Sequence, residues 1–100
     1  MELKVGDYVE VVRYYRCYSR ILNNPRHFPE VTNNSYLFST WQQNELPGDY
    51  ERGTIMAITA HPDGEAIDVL AYFLSDDGKG YVMGIKDNDY RCGLRKTGRS

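Results

Sequence analysis

From Gly53 to Leu94 the chain reads GTIMAITAHPDGEAIDVLAYFLSDDGKGYVMGIKDNDYRCGL, three short apolar runs separated by turn residues and closed by a polar corner. Runs of this length, rich in β-branched and aromatic residues and bounded by Gly, Pro and Asp, form strands rather than helices. Thr54 to Thr59 alternates around Ile55 and makes one strand. His61-Pro62-Asp63-Gly64 turns the chain, proline presetting φ and glycine accepting a positive φ. Ala66 to Leu74 is apolar on both faces, with Ile67, Val69, Ala71 and Phe73 opposed to Leu70, Tyr72 and Leu74, which marks a central strand. Asp76-Asp77-Gly78-Lys79-Gly80 is a tight hairpin turn into a strand from Tyr81 to Ile85. Gly84 within that strand is expected to mark a bulge or a sharp bend.

The polar run Asp87-Asn88-Asp89-Tyr90 suits a single 3₁₀ turn, and Cys92 to Lys96 a last short strand. At the other end, Val5 to Val12 opens with a Gly-Asp turn and then alternates. Val9 and Val11 point one way, and Tyr8, Glu10 and Val12 the other. Between these strands, Arg13 to Arg52 carries Asn23-Asn24-Pro25, Pro29, Asn33-Asn34 and Pro47-Gly48-Asp49, breakers at short intervals. So long a connection in a compact domain has elements of its own. Tyr14 to Leu22 is expected to continue the first strand or bend into a hairpin arm. In Ser35 to Leu46, Leu37, Phe38 and Trp41 share a helical face that Asn34 or Ser35 could cap, while Tyr36, Phe38 and Thr40 alternate as in a strand. We expect a short helix there and keep the strand open.

One hundred residues make one domain, here 1–100 with an insertion at 14–52 and a frayed tail at 97–100. No apolar run approaches the ~18 residues of a membrane span. MELKVGDY lacks a basic and apolar leader, so we expect a cytoplasmic protein with Cys17 and Cys92 as free thiols. Charge is segregated. From Val11 to Phe28 there are Arg13, Arg16, Arg20 and Arg26 and no acid, across 45–89 there are ten acids and three bases, and Arg91, Arg95, Lys96 and Arg99 close the chain. If the first and last strands lie side by side, the two basic blocks merge into one patch opposite the acidic turns.

This order of strands resembles the SH3-like small-barrel superfamily, in particular its Tudor and KOW type. The resemblance is carried by VGDYVEVV, GTIMAI, the SDDG turn and the corner DNDYRCGL, and it covers about 60 of the 100 residues. It implies a mainly β fold, a five-stranded bent barrel with a long insertion between the first and second strands. Two family features are not implied. The aromatics of Ile67 to Gly78 are spaced differently from those of Tudor domains that grip methylated side chains. The acidic and aromatic loop of proline-peptide-binding SH3 domains has no counterpart in Tyr14 to Arg52.

Residues suited to chemistry are few. His27, His61, Cys17 and Cys92 are the soft metal ligands, at no zinc-site spacing, and read as loop histidines and small apolar thiols. Cys17 lies among Arg16, Tyr18 and Arg20, where positive charge would lower a thiol pKa, but a nucleophile also needs a base and an oxyanion site. Asp76-Asp77 and Asp87/Asp89 belong to solvated turns, and Gly78-Lys79-Gly80 lacks the frame of a phosphate loop. We therefore expect no enzyme, no cofactor and no metal.

The most suggestive piece is Arg13-Tyr14-Tyr15-Arg16-Cys17-Tyr18-Ser19-Arg20. Interleaved arginine and tyrosine suit a protein interface. They also suit nucleic acid, with arginine on phosphate and tyrosine on bases. The plain account is a strand with one wet face. The expected function is a non-catalytic module that binds another protein through the long first loop, with Arg13, Tyr14, Tyr15, Arg16, Tyr18 and Trp41 as contacts. A small inhibitor or adaptor of the kind phages and mobile elements encode would fit this. The alternative is nucleic-acid binding by Arg13, Arg16, Arg20, Arg91, Arg95 and Lys96. Oligomeric state stays open.

Overall fold

The computed structural model describes residues 3–12, 25–43, 45–60, 69–85 and 94–98. Five antiparallel strands form one sheet: β1 (Tyr8–Val11), β2 (Arg52–Ala60), β3 (Val69–Ser75), β4 (Gly80–Ile85) and β5 (Leu94–Lys96), in the spatial order β4-β3-β2-β1-β5. The opening strand therefore lies between β2 and β5, as a side-by-side first and last strand requires. Among the described residues no hydrogen-bonded ladder joins β4 to β5, so the sheet is open rather than the closed cylinder expected. β5 is three residues long and pairs with β1. The second strand begins at Arg52, so the insertion ends one residue earlier than its sequence suggests.

Alternation along β1 buries Val9 and Val11 fully on the inner face and turns Glu10 to the outer one. The inner face carries one apolar cluster drawn from all five strands: Val9, Val11, Ile55, Ala71, Phe73, Tyr81, Met83 and Leu94. A flat sheet could not bring its two edges into a shared cluster, so the sheet is curled.

The sheet has a bulge, and it is in β2 rather than at Gly84. Pairing of β3 with β4 runs without interruption from Val69↔Ile85 to Leu74↔Gly80. The register instead shifts in β2 between Ile55 and Ala57, leaving Met56 as the extra residue of a bulge. An extra residue reverses the in–out parity of the remainder of the strand. Ile55 and Ile58 thus both face the inner cluster, whereas Ala57 and Met56 face the other side. At Gly84 the pairing is regular, so the bulge is not there.

The outer face of β2–β3–β4 is covered by the described part of the insertion. A 3₁₀ turn (Pro25–His27) leads into α1 (Pro29–Thr32) and α2 (Ser35–Thr40). Proline opens α1, where its missing N–H costs nothing. At α2 the Asn34 Oδ1 accepts a hydrogen bond from the Leu37 N–H at 3.1 Å, so the helix expected at Ser35 is formed and capped by Asn34. Phe28, Val31 and Leu37 pack with Ala57, Leu70, Tyr72 and Val82 into a second cluster. This is why β3 reads as apolar on both faces: each face has its own core. No helix among the described residues is long and apolar enough to cross a membrane.

Candidate functional site

Two surfaces bear on function, one on the insertion and one on the sheet. The insertion is anchored by buried polar contacts. The Tyr72 hydroxyl lies 3.0 Å from Thr40 Oγ1, and the two hydroxyls share the Leu37 carbonyl oxygen as acceptor, at 3.1 Å from Tyr72 and 2.6 Å from Thr40. Burial pushes the Tyr72 phenol pKa up, and the Thr40 hydrogen bond opposes that shift. The Phe28 ring meets Tyr72 edge-on at 6.2 Å. Beyond α2 the chain follows β4 in parallel at Trp41↔Gly80, and the Gln42 N–H donates to the Gly80 carbonyl at 2.9 Å.

On that anchored base, α2 turns Tyr36 (64% exposed) and Phe38 (46%) to solvent. Phe38 leans on the Trp41 ring at 6.1 Å. Trp41 itself is half-buried and packs against the second cluster, on the outer face of the sheet rather than over an open barrel end. Its indole N–H is enclosed and has no hydrogen-bond partner among the described residues. Of the contact residues expected from sequence, Trp41 is the one described; it is partly buried, and its neighbours Tyr36 and Phe38 are the more exposed aromatics. An amphipathic count over 35–41 groups Phe38 with Leu37 and so hides its exposure. Arg13, Tyr14, Tyr15, Arg16 and Tyr18 lie outside the described residues, as do Arg20 and Arg91.

The second surface is the outer face of β5–β1–β2. Register places Glu10 directly between Arg52 on β2 and Arg95 on β5. Arg52 Nε donates to Glu10 Oε2 at 3.0 Å, and Arg95 Nη2 donates to Oε1. These bonds, Arg52 first and Arg95 next, hold the Glu10 carboxyl pKa below its ordinary value against the opposing effect of desolvation. Lys96 Nζ stands 3.4 Å from Asp7 Oδ2. Of the expected basic patch Arg26, Arg95 and Lys96 are described, and Arg95 and Lys96 are each matched to a carboxylate of the opening segment. Tyr8, on the same strand as Glu10 and the same outer face, donates its hydroxyl hydrogen to Asp76. The sequence marks Glu10 as outward-facing but cannot show that Arg52 and Arg95 flank it, because that depends on two long-range registers.

At the β3–β4 turn, Glu45, Glu51 and Asp77 come close enough to Tyr81 to act on it. Burial first, then these carboxylates, pushes its phenol pKa up to about 12. Among the described residues no group of three or more His, Cys, Asp and Glu side chains could hold a metal ion. Cys17, His61 and Cys92 lie outside them. Comparison with protein-family models, with curated proteins and with solved structures found no match, so the functional reading rests on geometry.

Proposed function

We propose that the chain is an SH3-like small β-barrel of the Tudor and KOW type, acting as a non-catalytic module that binds another protein through its long insertion. The strand order β4-β3-β2-β1-β5 and the single inner cluster shared by all five strands support the fold reading. The functional reading is carried by one observation. The insertion is fastened to the sheet by its own apolar core, yet α2 leaves Tyr36 and Phe38 exposed beside Trp41. A rigid base that displays aromatic side chains suits a protein contact, because little order has to be gained on binding.

The test is affinity capture from the cells that make the protein, comparing the native chain with the double variant Tyr36→Ser, Phe38→Ser. Both changes are on exposed positions and leave the two cores intact. The expected result is a protein retained by the native chain and lost with the variant. The same set of captured proteins with both would sink the reading. Nucleic-acid binding takes second place because Glu10, Asp7 and Asp76 stand among the cations of this face and would repel a run of phosphates. A salt-dependent affinity for single-stranded RNA or DNA would reverse that order.

A further inference from the structure

We propose that the row Arg95–Glu10–Arg52 is a docking site for one isolated carboxylate side chain of a protein partner. This surface is separate from the inserted helices, and the inference stands or falls without them. The Glu10 side chain is only 7% exposed, and each of its oxygens is taken by a different arginine. Each guanidinium is bound to it through one nitrogen. Arg52 keeps its two terminal NH₂ groups and Arg95 keeps Nε and its other NH₂ group, with no further partner among the described residues. Both side chains remain open, at 45% and 63% exposure. The planar forks are held in place by a buried anchor while their unused donors face solvent, the arrangement that makes arginine effective toward carboxylates.

Charge selects the occupant. Two positive groups share one negative group, so a single further negative charge completes the row. A polyanion fits less well, because the next position on this face, Tyr8, already carries the Asp76 carboxylate. Like charge there would repel successive phosphates but leave room for one carboxylate.

The test is a titration of the folded chain at low ionic strength, followed by NMR of the arginine Nε–H groups. The probes are an otherwise neutral dodecapeptide carrying a single Glu and blocked at both ends, its Gln counterpart, and a twelve-residue oligothymidylate. The Glu peptide should shift the Arg52 and Arg95 signals, and the Gln peptide should not. Arg52→Lys keeps the charge and loses the fork, and should weaken binding about tenfold, as for loss of a charge-assisted hydrogen bond. Absence of shifts with the Glu peptide, equal shifts with the Gln peptide, or tighter binding of the oligothymidylate would each overturn the proposal. The native-chain arms decide the matter even if a variant fails to fold.

Discussion

The phenol oxygen of Tyr72, on the inner strand β3, sits 3.0 Å from the hydroxyl of Thr40, the last residue of α2. Tyr72 is fully buried, so this contact joins the insertion to the interior of the sheet rather than to its surface. Replacing Tyr72 by Phe keeps the ring and its packing on Phe28 but removes the hydroxyl. Loss of one buried hydrogen bond should lower the stability by about 1–2 kcal/mol in denaturant unfolding. Amide exchange should accelerate in α2 more than in β1. Uniform acceleration across both would show that the insertion does not open separately.

Gly80 is needed where it is because a Cβ there would overlap the Tyr72 hydroxyl and lie 2.6 Å from Thr40 Oγ1. Neither group can retreat, since both are enclosed. Gly80→Ala should cost about 1–3 kcal/mol by overpacking. Gly48 has open space around its Cβ position, so Gly48→Ala should stay within about 0.5 kcal/mol of the native chain. Thermal or denaturant midpoints of the two variants check this, and equal effects would count against the packing argument.

Acid should loosen the β1–β5 edge. The folded pKa of Glu10 is held below its ordinary value by Arg52 and Arg95. A group depressed in this way stabilises the fold above its unfolded pKa, and that stability is lost as pH falls through the folded value. At pH 7 Glu10→Gln should therefore lower the unfolding midpoint, and the gap between variant and native chain should narrow as pH falls below about 4. A gap that is independent of pH would contradict the ion-pair account.

Alkali acts through Tyr81. Its pKa is raised to about 12 by burial and by Glu51, Asp77 and Glu45. The pH dependence is reversed: a raised folded pKa gives stability that is full below the unfolded pKa, about 10, and is lost as pH rises toward the folded value. Ultraviolet titration of the folded chain should show a phenol ionising at about pH 12. That component should disappear in Tyr81→Phe, together with part of the stability loss above about pH 10.

Much of the sheet is legible in the residues themselves. The alternation of Val9 and Val11 against Glu10, the two-faced run from Val69 to Leu74 and the Asp-Asp-Gly turn are local patterns, and each has its strand or hairpin in the structure. Asn34 before Ser35 is a local capping signal, and it caps α2. The bulge is harder to place, because Gly84 carries the obvious signal and Met56 none. A bulge is chosen by the fit of two strands and two cores, not by the residue that bulges.

Local patterns place the strands and favour a helix after Asn34, since period-two and capping signals act over a few neighbouring residues. Which side chains meet is set by the assembled fold. The placement of Glu10 between Arg52 and Arg95, and of Thr40 against Tyr72, joins residues 42, 85 and 32 positions apart. Those meetings depend on strand register and on which surface covers the outer face of the sheet. No local pattern carries that information, because it arises only when distant segments compete to bury the same apolar area.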